Sequence, residues 1–168
     1  YVTTAFTHAG YGNVGQTSVD TFTGTATTPT STVITNNTYS DDPTHWRLGR
    51  LTASTVTHRR PGKADVVRMT SFAYAMAGPV TGLLNEERIQ PGGSALQDLR
   101  KAYTLDDYGN RVASYLCNNA VATCRSAVSY YNMWDHTHLH RYSRQEYDAR
   151  GRYPIRSIEL FRPSNASD

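Results

Sequence analysis

From Tyr1 to Ile34 the chain is rich in Thr, with Val, Phe and Gly at short intervals and almost no charge. No period near 3.6 residues runs through it, which predicts two or three strands, with turns near Gly10–Gly12 and Gly24–Pro29. Asn36 to Asp42 carries turn chemistry, and Pro43 cannot donate to a ladder. Trp46 to His58 predicts a strand bent or broken at Gly49, with Leu51, Ala53, Thr55 and Thr57 on one face and Thr52, Ser54, Val56 and His58 on the other. Arg59 to Lys63 is a polar loop and Val66 to Tyr74 the returning strand, which sets Trp46 and Leu48 near Phe72 and Tyr74. Gly78-Pro79 and Thr81-Gly82 make the next turn, Leu83 to Ile89 returns antiparallel, and Pro91-Gly92-Gly93 ends it. The connections are short, so strands are expected to pair with their neighbours in sequence.

One turn pattern recurs. In Tyr147-Asp148-Ala149-Arg150-Gly151-Arg152 the Asp side chain can accept from the backbone ahead of it, and the Gly three residues later supplies a positive φ. Leu105-Asp106-Asp107-Tyr108-Gly109-Asn110-Arg111 keeps the Asp and the Gly but has Leu in place of Tyr, and His8-Ala9-Gly10-Tyr11-Gly12-Asn13 is a fainter copy. Three further segments accompany these turns: Trp46 to Thr52 running on to His58, Phe72-Ala73-Tyr74 with Thr81 to Leu84, and Tyr147 to Pro154. In this order they resemble the RHS or YD-repeat family, which includes the shell subunits of bacterial insecticidal toxin complexes, polymorphic RHS toxins and the animal teneurins. The resemblance implies a mainly β fold, an antiparallel sheet of repeated hairpins forming one region over residues 1–168 of a longer shell. It implies a secreted or cell-surface protein whose shell encloses a toxin domain lying beyond the repeats. The self-cleavage motif of the family has no match here, so no catalytic residue carries over. The roles it implies are structural: Asp106, Gly109, Asn110, Tyr147, Asp148 and Gly151 as turn formers, and Trp46, Phe72, Tyr74, Trp134 and Tyr142 as sheet packing. Ser94 to Ala102 has helix formers behind a Ser cap but is short for a helix, and the resemblance makes it a strand.

Composition adds bounds rather than a function. A chain of 168 residues with formal net charge +3 suits one domain, and no apolar run is long enough to span a bilayer. It begins at Tyr1 with no leader, as a fragment or a processed product would. Arg is dense from Arg141 to Arg162, interleaved with Tyr142, Tyr147, Tyr153 and Phe161, a mixture that can bind single-stranded nucleic acid. The plainer reading, which we adopt, has the Arg stems covering sheet surface and their heads paired with Glu146, Asp148 and Glu159. Nucleic acid is therefore not an expected partner.

Two clusters invite a chemical reading. Cys117 and Cys124 face each other if Ala120 and Val121 form a hairpin tip, where a disulfide would contribute about 2.5 kcal/mol. Two free thiols are the other state this spacing allows. His136, His138 and His140 share one strand face, and three imidazoles are a catalytic zinc set. Alternate residues stand about 7 Å apart along a strand, however, so the outer two cannot meet one ion without a bulge. With Trp134 and Tyr142 they form a stripe better suited to ring packing, leaving a zinc hydrolase as the weaker alternative. No phosphate loop, His-Glu-x-x-His or nucleophile elbow is present. No cofactor or catalytic residue is expected. The competing reading is a carbohydrate- or nucleic-acid-binding β module using exposed Tyr, Trp and Arg. The uncharged strand Tyr1 to His8 is an unguarded edge, expected to pair with the rest of a parent chain or with another copy and to be protected by Lys at Thr4 and Thr7.

Overall fold

A computed structural model of the chain describes residues 1–94, 97–118 and 139–161. Among the described residues there are ten strands: β1 (Val2–His8), β2 (Val14–Thr21), β3 (Ser31–Asp42), β4 (Arg47–Arg59), β5 (Val66–Tyr74), β6 (Leu84–Ile89), β7 (Leu99–Leu105), β8 (Arg111–Asn118), β9 (Leu139–Tyr147) and β10 (Pro154–Phe161). Their order in the sheet is the order of the chain, and every described pairing is antiparallel. The mainly β, antiparallel hairpin sheet expected from the sequence is the fold observed. The chain divides into two compact units, Tyr1–Ser71 and Phe72–Asp168, with the division falling inside β5.

Polar side chains join the strands of the first unit. Gln16 Nε2 donates to Asn36 Oδ1 across β2 and β3 at 2.7 Å, and the Thr32 hydroxyl donates to Asp20 Oδ1 at 2.5 Å. The Val14 carbonyl accepts from both Asn37 Nδ2 and the Tyr39 hydroxyl at 3.0 Å. These bonds correct the expected turn at Asn36–Asp42. The Asn amides reach across to β2, so β3 runs unbroken until Pro43 opens a 3-10 turn, Pro43–His45. β4 likewise continues through Gly49 (φ 66°), whose N–H donates to Asp41 Oδ1 at 2.6 Å beside a register shift in β3. No described residue of this unit is buried.

The second unit has a small core on β7 and β8: Ala102, Tyr103, Ala113 and Cys117. β7 starts at Leu99 rather than within the segment from Ser94, because Gln97 and Asp98 donate backbone N–H groups to the Ser94 carbonyl in a turn. Asp98, fully buried, closes that turn. It accepts from Arg88 Nε at 2.7 Å, from Arg88 Nη2 at 2.5 Å and from the Gly92 N–H at 2.9 Å. The bond to Asp98 raises the Arg88 pKa above its ordinary value, against the opposing effect of burial.

One expectation about sheet packing needs correction. Trp46 does not pack on the sheet: it ends the 3-10 turn in a left-handed conformation (φ 53°), just before β4 begins at Arg47, and is 84% exposed. Cys117 has Arg100 on β7 and Leu139 on β9 as its sheet neighbours. Cys117 is disulfide-bonded, and Cys124 lies outside the described residues.

Candidate functional site

Two turns of one design lie in the second unit, between β7 and β8 and between β9 and β10. In the first, the Asp106 carboxylate accepts from the Tyr108 N–H (3.0 Å), the Asn110 N–H (2.8 Å) and Asn110 Nδ2 (2.9 Å). The backbone closes the same loop, Asp106 N–H to the Asn110 carbonyl and Gly109 N–H to the Asp106 carbonyl, each at 3.0 Å. In the second, Asp148 accepts from the Arg152 N–H (2.6 Å) and the Tyr153 N–H (3.1 Å), while Gly151 donates to the Asp148 carbonyl at 2.8 Å. Gly109 (φ 87°) and Gly151 (φ 65°) both sit in the left-handed region. Asp-x-x-Gly folds this way because a short carboxylate can reach the N–H groups that the reversal leaves unpaired, and only Gly makes the reversal without strain.

The turns are also joined to each other. Asn110 Nδ2 donates to the Gly151 carbonyl at 2.7 Å, so one amide serves its own turn and the next. The Tyr108 ring lies over Gly151 so closely that a Cβ there would sit 2.8 Å from the ring Cγ. One turn earlier, Leu83 covers Gly109 in the same manner, its Cδ1 2.9 Å from where a Cβ would be. Each of these glycines is thus required twice, by its own φ and by a side chain from the turn before it. Sequence reading placed Asp106, Gly109, Asn110, Asp148 and Gly151 in turns, but it did not find the bridging amide of Asn110 or the covering roles of Tyr108 and Leu83. The only local signal was the Tyr-Gly-Asn order within the first turn.

A groove of about 630 Å³ adjoins the paired turns, lined by Tyr108, Tyr115, Tyr142, Tyr147, Arg144 and Asp107 among others. Tyr115 and Tyr142 pair across β8 and β9 with ring centroids 5.3 Å apart. Burial raises the Tyr142 pKa, as does Tyr115 beside it, while Arg144 opposes. Arg144 is itself held 3.3 Å from Glu146, and the Tyr147 hydroxyl donates to Gln145 Oε1 at 3.0 Å. For Asp106, burial pushes the carboxyl up, but the bonds from Asn110, Tyr108 and Gly109 outweigh it and hold the pKa below the ordinary value. The lining offers ring faces and hydrogen-bonding groups, and contains no serine, cysteine or histidine.

The remaining predicted residues do not gather here. Phe72 and Tyr74 are half-buried on β5, and Trp46 belongs to the first unit. His140 is on β9, two positions from Tyr142, whereas Trp134, His136 and His138 lie outside the described residues. Among the described residues no group of three His, Cys, Asp or Glu side chains is placed to hold a metal ion, and no helix is long and apolar enough to cross a membrane. No family model matches the chain, and no curated protein matches it in sequence.

Proposed function

We propose that the chain is a non-catalytic structural segment of an RHS/YD-repeat shell, one that encapsulates or presents a toxin domain in a secreted or cell-surface protein. The observation that carries this reading is the bond from Asn110 Nδ2 to the Gly151 carbonyl, which ties one Asp-x-x-Gly turn to the next. A turn that needs its neighbour suits an array, because each unit is then completed by the one beside it. The chain-order pairing of all ten strands supports the same reading, as adding hairpins extends such a sheet without changing its topology. The test is the structure of the parent chain at its natural length. The shell reading expects further hairpins with Asp-x-x-Gly turns on both sides and a domain enclosed by them. A natural chain that starts and stops with these ten strands would overturn it.

A second reading is a carbohydrate- or nucleic-acid-binding module, favoured by one observation: bulky rings stand exposed in turns, with Trp46 84% and Tyr108 70% accessible. An aromatic ring left in water by the fold is available for stacking on a sugar or a base. Tryptophan fluorescence titrated with oligosaccharides and with single-stranded DNA tests it; no change with either would dismiss it.

A further inference from the structure

Tyr103 on β7 stands opposite Ser114 on β8, and Ser114 opposite Ser143 on β9, so these three side chains share one face of the sheet. The two serine hydroxyls are 2.9 Å apart. Lys101 and Gln145 fall on the same face by alternation along β7 and β9. Arg111 reaches it by a bulge. In a regular ladder Arg111 would share the face of Ala113, which stands opposite Thr104 on the other side of the sheet. The register shift between Thr104 and Leu105 makes Val112 an extra residue and sets Arg111 opposite Leu105, on the face of Tyr103. The Arg111 guanidinium carbon lies 4.0 Å from the centroid of the Tyr103 ring, and Lys101 Nζ lies 5.7 Å from the same centroid.

Lys101, Tyr103, Arg111, Ser114, Ser143 and Gln145 line a pocket of about 180 Å³ whose unused hydrogen-bonding capacity is that of donors. One serine hydroxyl donates to the other, which leaves one hydroxyl hydrogen to give. The Tyr147 hydroxyl occupies Gln145 Oε1 at 3.0 Å, which leaves Nε2 to donate. Among the described residues neither Lys101 nor Arg111 forms an ion pair, and no carboxylate lines the pocket. Glu87, opposite Lys101 on β6, accepts from the Tyr103 hydroxyl at 3.4 Å, and Arg141 on β9 is held by Glu159 at 3.0 Å. Because Lys101 and Arg111 attend one ring, their charges stand no more than about 10 Å apart, a separation that physiological salt only partly screens. An anion between them turns that repulsion into attraction.

We propose that this pocket binds a phosphate or sulfate group. A tetrahedral dianion matches the two cationic side chains, and its several oxygens match the donors of Lys101, Arg111, the serine pair and Gln145. A carboxylate brings half the charge and fewer oxygens. Pockets that enclose drug-sized ligands measure about 300–1,000 Å³, so this smaller one takes a single such group, as a free ion or as the end of a monoester. The site needs only β7, β8 and β9, and it holds whether or not the chain is a segment of a shell.

The test is an NMR titration of the 168-residue chain with inorganic phosphate, inorganic sulfate, glycerol 3-phosphate and acetate, at an ionic strength held constant with chloride. The expected result is a saturable shift of the Arg111 Nε–H and the Gln145 side-chain amide with phosphate and sulfate, and binding of acetate weaker by roughly tenfold or more. Glycerol 3-phosphate binding as tightly as phosphate assigns the pocket to an ester-borne group, and weaker binding assigns it to the free ion; both support the site. Arg111→Gln should weaken phosphate binding roughly tenfold or more. Should that variant fail to fold, Lys101→Gln, which alters an exposed side chain, should act in the same direction. Arg60→Gln removes the same charge from an exposed position between β4 and β5 and should leave binding unchanged. The absence of a saturable shift with phosphate and sulfate, acetate binding as tightly as either, or a loss with Arg60→Gln equal to that of the pocket variant would each overturn the proposal.

Discussion

Residues Tyr1–Ser71 form five strands or parts of strands without burying a single described residue, whereas the second unit buries Ala102, Tyr103, Ala113, Cys117 and Asp98. The first unit spreads its cohesion over many exposed or half-buried bonds, such as Gln16–Asn36, Thr32–Asp20 and the two that converge on the Val14 carbonyl. The second concentrates it in a buried carboxylate, a disulfide-bonded Cys117 and a pair of interlocked turns. A bond that water could replace contributes about 1 kcal/mol, while a buried group stripped of its partner costs several times that. Single substitutions should therefore be mild in the first unit and severe at a few places in the second.

The severest should be Asp98→Ala. It leaves the Arg88 guanidinium without the carboxylate that holds it and frees the Gly92 N–H, and because Arg88 keeps some contact with water the loss should be near the lower end for a broken buried pair, about 3 kcal/mol. Denaturant unfolding measures it. Asn37→Ala in the first unit should cost about 1 kcal/mol. Comparable losses for the two would erase the contrast between the units.

Next in size is Gly151→Val. Gly62 also has a positive φ, 70°, but nothing lies within 4 Å of where its Cβ would be, so Gly62→Val should show backbone strain alone, about 1–2 kcal/mol. Gly151→Val adds a collision with Tyr108 and should cost at least 1 kcal/mol more. Melting temperatures compare them directly. Equal values would mean that Tyr108 moves aside freely and that the turns are not interlocked.

Much of this was legible in advance. β-branched runs and Gly, Pro and Asp punctuation located most strands, and Asp148 and Gly151 announced their turn because its bonds are local, spanning five residues or fewer. What the sequence hid is long-range. Asn110 and Gly151 are 41 residues apart, and no local pattern says that one amide reaches the other's carbonyl. Asn36 and Asn37 read as turn formers because their side chains can bond their own backbone, and in the fold they bond β2 instead. Trp46 read as a packing ring from its place opposite Phe72 and Tyr74 in the expected hairpin, which carries no information about the Asp42–His45 cap that turns the chain at that point: Asp42 accepts from both the backbone and the ring of His45.

Acid should sharpen the contrast between the two kinds of turn bond. Because Asp106 has a folded pKa below its unfolded one, the stability it contributes is present above the unfolded value near 4 and is lost as pH falls through the folded value. Asp106→Asn removes that titration, so its stability relative to the parent should improve steadily below about pH 4. Asn110→Ala, which breaks the link between the turns and one bond within the first, should cost about 1–2 kcal/mol at neutral pH. A loss under a few tenths of a kcal/mol would detach the turns from each other.

The smallest effect is expected at Trp46. Its left-handed backbone costs a non-glycine residue about 1 kcal/mol, and a ring 84% exposed gains little from burial to offset that. Trp46→Gly relieves the strain but gives the unfolded chain more freedom, a penalty of about 0.5–1 kcal/mol. The two terms nearly cancel, so the midpoint of unfolding should stay within about 0.5 kcal/mol of the parent despite removal of the largest side chain in the unit. A loss of 2 kcal/mol or more would mean that the indole packs in solution, and the first unit would then have an apolar contact that its burial pattern does not show. Retained stability would leave the ring without a part in folding, and the fluorescence titration with sugar and single-stranded DNA then becomes the deciding measurement for Trp46.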